Sequence, residues 1–156
     1  MNTLLLNTPP DIHPSFHEAL SLLGKVYSLD FKAQPNRATQ IKAAIDGSKG
    51  LNLDLIAGCG EGGWLASHVG ARIGVPFVAL DATYLSPTED LPMAKDGCGC
   101  ILVSEGYKHQ GGQAVLEGLA DAYGPKVISD ALLLNPKQLA EMLDDFVERA
   151  GFVYGF

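Results

Sequence analysis

Positive charge is scarce in this sequence. Its 156 residues hold 11 Lys and Arg against 18 Asp and Glu, a net charge of −7, and no basic cluster exceeds a pair. Nucleic-acid binding is driven by counterion release from a basic face, so a polyanion is excluded as the main partner. Long apolar runs are missing too, and nothing approaches the ~18 consecutive apolar residues of a membrane span. The opening "MNTLLLNTPPD" has neither the basic n-region nor the apolar length of a signal peptide. A cytoplasmic location away from the membrane is therefore expected. Cysteine is sparse and odd in number: Cys59, Cys98 and Cys100 read as reduced thiols rather than a disulfide framework. The C-x-C pair lacks a second Cys/His pair at a suitable spacing, so neither a metal nor another cofactor is expected. Repeats and linker-like runs are also absent, which points to one domain over 1–156.

What is present alternates. Six short, continuous apolar stretches read as strands buried on both faces. They are "TLLLN" (3–7), "KVYSLDF" (25–31), "LDLIAG" (53–58), "PFVALDA" (76–82), "CILVSE" (100–105) and "KVISDALLL" (126–134), the last in part. Between them, helices are expected over 14–24, 35–46, 62–74, 111–124 and 135–151. The first opens on Pro14 and closes on Gly24, a start-and-stop pair. The third carries Leu65, Val69 and Ile73 as one buried stripe. The last has Asn135 as N-cap, Pro136 at the first helical position, and Leu139, Met142, Leu143, Phe146 and Val147 on one face. Strand and helix alternate throughout, which predicts an α/β fold: a three-layer α/β/α sandwich on a mostly parallel sheet.

The stretch "IAGCGEGGW" (56–64) leaves a strand and enters a helix, and three motifs fit that context. As G-x-G-x-x-G it is a dinucleotide loop, with Asp81 ending the next strand as a ribose-binding acid. As a methyltransferase loop it uses the same Asp81. Both folds put the glycine loop after the first strand, whereas here two strands and two helices precede it. As G-x-S-x-G it is a hydrolase elbow with Gly60 in place of the nucleophilic serine, and the helix N-terminus beyond it favours negative charge. The order of elements fits this third reading from end to end.

On these residues the chain resembles the small YqiA/YcfP-like bacterial proteins, predicted esterases with an α/β-hydrolase fold and no lid domain. The resemblance is carried by G-x-[SG]-x-G-G followed by Trp64, by the short helix ending "IGVP", and by "LDATYLSP". It implies a minimal, lidless α/β-hydrolase-like fold. Carried over position by position, it also implies a degenerate site. The nucleophile falls on Gly60. The acid falls near Gly106, in "EGYKHQ", which has no Asp although Glu105 adjoins. The histidine falls around Leu132–Leu133, where "SDALLLNP" has none. The family's His-Gly pair is here Asn7-Thr8, followed by Pro9 and Pro10, which donate no backbone N–H to an oxyanion hole. Nucleophile, base and orienting acid act as a unit, and all three are missing.

The expected function is therefore a non-catalytic binding or regulatory protein on an esterase-like scaffold, with a small molecule or a protein as partner. The alternative is an ester or thioester hydrolase using relocated groups. Cys59 is its thiol candidate, beside a helix N-terminus, although a residue before the elbow normally points away from the pocket. His109, in the loop after a strand, is its histidine candidate, able to pair with Glu61 or with Asp81, which is itself a weak catalytic candidate. The remaining alternative is a nucleotide or S-adenosylmethionine at the glycine loop. The expected pocket comprises Thr8, Pro9, Cys59, Gly60, Glu61, Gly62, Asp81 and His109. Glu61 also reads as favourable charge on the helix start, and Asp81 as a turn cap. His68 reads as packed or solvated, and His13 and His17 lie near the start of the first helix. The aromatic tail "GFVYGF" (151–156) points to packing on the body or to a homodimer contact.

Overall fold

The computed structural model describes residues 1–83, 97–105, 107, 123–124 and 126–154, with side chains as far as Gly151. All six expected strands form: β1 (Asn2–Leu6), β2 (Lys25–Leu29), β3 (Leu55–Cys59), β4 (Phe77–Leu80), β5 (Gly99–Ser104) and β6 (Lys126–Ile128). They make one 6-stranded sheet in the order β2-β1-β3-β4-β5-β6, and every neighbouring pair is parallel. Parallel neighbours need crossovers, and among the described residues helices at 14–23, 37–48 and 61–73 supply the first three.

Five helices are described: α1 (Pro14–Leu23), α2 (Arg37–Ser48), α3 (Glu61–Ile73), α4 (Asp130–Leu133) and α5 (Pro136–Tyr154). Because side chains alternate along a strand, β1 to β5 feed two cores, whereas the edge strand β6, expected to be buried on both faces, contributes only Ile128 and leaves Val127 74% exposed. Leu5, Leu55, Ala57, Val78, Leu80 and Leu102 pack with Phe16 and Leu20 of α1 and Leu139, Leu143 and Phe146 of α5. Leu4, Leu6, Ile56, Phe77, Ala79 and Ile101 pack with Ala44 of α2 and Leu65 and Val69 of α3. The result is a three-layer α/β/α sandwich, as expected. No helix among the described residues is long and apolar enough to cross a membrane.

Most boundaries shift by one to three residues, β2 ending at Leu29 rather than 31 and α5 running on to Tyr154 rather than 151, and two of the shifts have a clear local reason. The helix expected from Pro35 begins at Arg37, because Asn36 caps it. Its side chain accepts the Thr39 amide, and Thr39 bonds back to the cap in a capping box. The apolar run 126–134 is a strand only to Ile128. Ser129 then accepts the Leu132 amide and starts α4, so a hydroxyl cap overrides the apolar continuity. Asn135 caps α5 as expected, accepting the Gln138 amide at 3.1 Å. The segment expected to form a helix over 111–124 lies mostly outside the described residues.

Candidate ligand cavity at the carboxyl edge of the sheet

The chain runs from β1 outward to β2, then back across β1 to β3. That reversal opens a crevice between the carboxyl ends of β1 and β3, the place where open parallel sheets bind ligands. A cavity of about 390 Å³ lies there. Five strand exits converge on it: Asn7 follows β1, Lys32 follows β2, Gly60 and Glu61 follow β3, Asp81 and Thr83 follow β4, and Tyr107 follows β5. Ile12 and His13, just ahead of α1, close one side.

The floor of the cavity is the β3–α3 turn, whose glycines answer two different demands. Gly60 has φ 59 and ψ −123, outside the right-handed and ordinary extended regions. Its amide donates to Leu80 O at 3.0 Å, and its carbonyl accepts from Thr83 N at 3.0 Å and Trp64 N at 3.1 Å. The strained turn is thus held from three sides. Gly58 and Gly62 are set by close approach instead. A Cβ on Gly58 would collide with the Gly62 carbonyl, and one on Gly62 with the Leu6 carbonyl and the Thr8 hydroxyl. Only with bare backbone at both positions can α3 sit this close to β1 and β3. Around Gly60 there is open space, the nearest atom to a built Cβ being Thr83 Oγ1 at 3.9 Å.

Charge in the cavity is mixed. The first amides of α3 have no intrahelical acceptor, and Gly60 as N-cap has no side chain to supply one. Glu61 puts a carboxylate into that first turn, which offsets the helix's own positive end. Lys32 and His13 also line the cavity. The Asp81 carboxylate is already engaged, accepting from Ser104 N at 2.8 Å and from Ser104 Oγ at 2.7 Å. Burial, reinforced by the charge of Asp81, pushes the Cys59 thiol far above the ordinary thiol range. Burial likewise raises the Tyr107 phenol, against a lowering contribution from its hydrogen bond to Thr83.

Of the residues expected at a pocket, Cys59, Gly60, Glu61 and Asp81 line this cavity together. Gly62 lies directly beneath, against β1. Thr8 and Pro9 line a different cleft of about 200 Å³, with Pro10, Ser28 and Asp30. The cause is local: Asn7 takes φ 49, which turns the chain at the exit of β1. The Thr8 hydroxyl then points back, donating to Leu6 O at 2.8 Å and accepting the Cys59 amide at 3.0 Å. His109 lies outside the described residues, as do Gly106 and the side chains of 152–156. Glu105 bonds through its amide to Ile128 O at 3.1 Å. His68 is packed, 5.1 Å from the Trp64 ring and within 3.0 Å of Arg72 through Nδ1.

Besides Ile12, three cavity residues were not singled out in the sequence: Lys32, Thr83 and Tyr107. Each sits just past a strand end, so strand assignment places them at this edge, but only the strand order brings them together. Arg37 was equally silent. Its guanidinium lies 4.0 Å over the Trp64 ring and donates to Thr83 O at 3.1 Å, which fixes the wall at Thr83.

No protein-family model matches the sequence, and no curated protein matches it. Among solved structures it is similar to a Xanthomonas campestris pv. campestris protein described as a "putative hydrolase of the alpha/beta superfamily". The TM-score is 0.68 at 13% identity, over 92% of this chain and 98% of that one. The fold is α/β-hydrolase-like. An identity this low carries the architecture and none of the chemistry. Within the α/β-hydrolase-like sheet, the cavity over Gly60 stands at the strand-to-helix turn where such folds place a nucleophile.

Proposed function

We propose that this protein is a non-catalytic binding or regulatory protein on an esterase-like α/β-hydrolase scaffold, cytoplasmic and bacterial, akin to the YqiA/YcfP-like proteins. One observation carries the reading: the tip of the β3–α3 turn is Gly60, held at φ 59 and ψ −123. The turn keeps the backbone form in which a nucleophile would be presented and offers no atom for attack. A strained turn retained without its reactive side chain fits a site that still holds a ligand. The surrounding groups agree. Covalent catalysis needs a base beside the nucleophile and a third group to orient it. Of the two acids described in this cavity, Asp81 is committed to Ser104 and Glu61 stands in the first turn of α3. The adjacent thiol of Cys59 is pushed so far up that almost none of it is thiolate at neutral pH.

A fluorophosphonate probe tests this, because it marks an activated hydroxyl or thiol by forming a bond to phosphorus with loss of fluoride. The intact mass of the native protein is expected to stay unchanged under conditions that fully label a serine esterase. A single adduct that forms on the folded protein and not on the denatured one would refute the proposal.

A further inference from the structure

We infer that the amino edge of the sheet carries a second ligand site, for a small aromatic anion, formed by Lys126, Arg149, Phe146 and Tyr123. A cavity of about 340 Å³ opens there, at the size of a small-molecule pocket. Gly99 begins β5 and Lys126 begins β6, so this cavity faces away from the Gly60 edge. The 6 residues of β5 alone span about 20 Å between the two edges.

Glycines line much of this space. Gly97, Gly99 and Gly124 all line the cavity, and a Cβ built on Gly124 would meet nothing within 4 Å. Gly99 is bare because the Tyr123 ring lies against it, with Cδ1 2.7 Å from where a Cβ would stand. That ring is braced edge-on against Phe77 at 5.5 Å and 80°. Phe146, 8% exposed and anchored in the core of α5, supplies a second aromatic wall. Apolar walls with few polar groups are the usual construction of a small-molecule site.

The charged groups among the described lining residues are two cations. Lys126 makes no ion pair with any described residue. Arg149 pairs with Asp145 at 3.2 Å, but both side chains are more than half exposed (62% and 67%). Such a pair is weak and leaves the guanidinium able to take a better anion. No acid is among the described lining residues, in a chain whose net charge is −7. The fields of both cations reach one buried point, since Lys126 and Arg149 each favour the thiolate of Cys100 on the cavity wall. A carboxylate or phosphate between them would meet an ammonium and a planar fork of donors, with its ring against Phe146 and Tyr123.

Phenyl phosphate, inorganic phosphate and benzyl alcohol serve as probes, titrated by calorimetry into the wild type and into Lys126→Gln/Arg149→Gln. Both substitutions are at exposed positions, and an unchanged urea midpoint checks the fold of the double variant. Phenyl phosphate should saturate and bind at least about tenfold more tightly than either fragment, and the double variant should lose at least about tenfold. Lys126→Arg should keep the affinity. No saturation in the wild type, equal binding of inorganic phosphate, or an undiminished affinity in the double variant would each overturn the site. None of these outcomes bears on labelling at Gly60, so the two proposals fail independently.

Discussion

Thr83 closes a ring onto Gly60. Its amide donates to the Gly60 carbonyl at 3.0 Å, while its hydroxyl stands 3.9 Å from where a Cβ on Gly60 would be. The turn is therefore held by backbone and left open at its tip. Room for a side chain exists at this position, and what opposes one is conformation.

That separation of strain from space gives a first prediction. Gly60→Ala should cost about 1–3 kcal/mol, the range for a non-glycine residue held in a sparsely populated backbone region. Urea denaturation checks it. A neutral substitution would mean that the turn relaxes when it is given a side chain.

Gly62→Ala should behave differently. Its Cβ would collide with the Leu6 carbonyl and the Thr8 hydroxyl, so α3 must move off β1. The expected loss is at least about 3 kcal/mol, at the upper end of overpacking effects. The same denaturation series, run beside Gly60→Ala, should rank Gly62→Ala as the more damaging. The reverse order would contradict the close-approach account.

Asp81→Ala removes the acceptor of two hydrogen bonds from Ser104. Leaving those partly buried donors unpaired should cost about 1–3 kcal/mol. It should also lower the Cys59 pKa without normalising it, because burial is the larger cause and the Asp81 charge the smaller. Alkylation rates followed against pH separate the two contributions. A thiol returned to ordinary reactivity would show that charge, not burial, controls it.

The buried thiols make stability depend on alkaline pH. Burial raises Cys100 from 9.0 to about 11, against smaller lowering contributions from Lys126 and Arg149, and Cys59 moves in the same direction. Above pH 9 the unfolded thiols lose protons that the folded ones keep, so the unfolded state gains. The contribution is fully present below pH 9 and is lost as pH climbs towards 11. Urea midpoints under reducing conditions should fall over that window, and Cys100→Ala should fall less steeply. A flat profile would contradict the burial of these thiols.

Much of the architecture was legible because strands buried on both faces must be apolar at successive positions, as in "LIAGC". Helix caps at Asn135 and Gly24 were equally local. The site was legible only where one motif carried it, at Cys59, Gly60 and Glu61. Lys32, Thr83 and Tyr107 join it through strand order, and the bond from Arg37 to Thr83 spans 46 positions. Thr8 shows the converse. It adjoins the expected loop, yet the positive φ of Asn7 turns its hydroxyl under the elbow instead of into the cavity. Sequence distance was informative within a turn and uninformative across the sheet.

Hydrolysis of p-nitrophenyl acetate measures the central claim most directly. Gly60 supplies no attacking atom, and an oxyanion-type amide pair alone leaves only a residual ~10³–10⁴-fold over water in better-equipped enzymes. On the proposed reading, the wild type should be indistinguishable from Cys59→Ala, and Gly60→Ser alone should restore nothing, because the positions where the resemblance places the base and acid carry neither His nor Asp. Saturable turnover abolished by Cys59→Ala would instead establish a thiol hydrolase. Turnover that survives Cys59→Ala and is lost in His109→Ala would establish a histidine-activated water, and either result would contradict a non-catalytic protein.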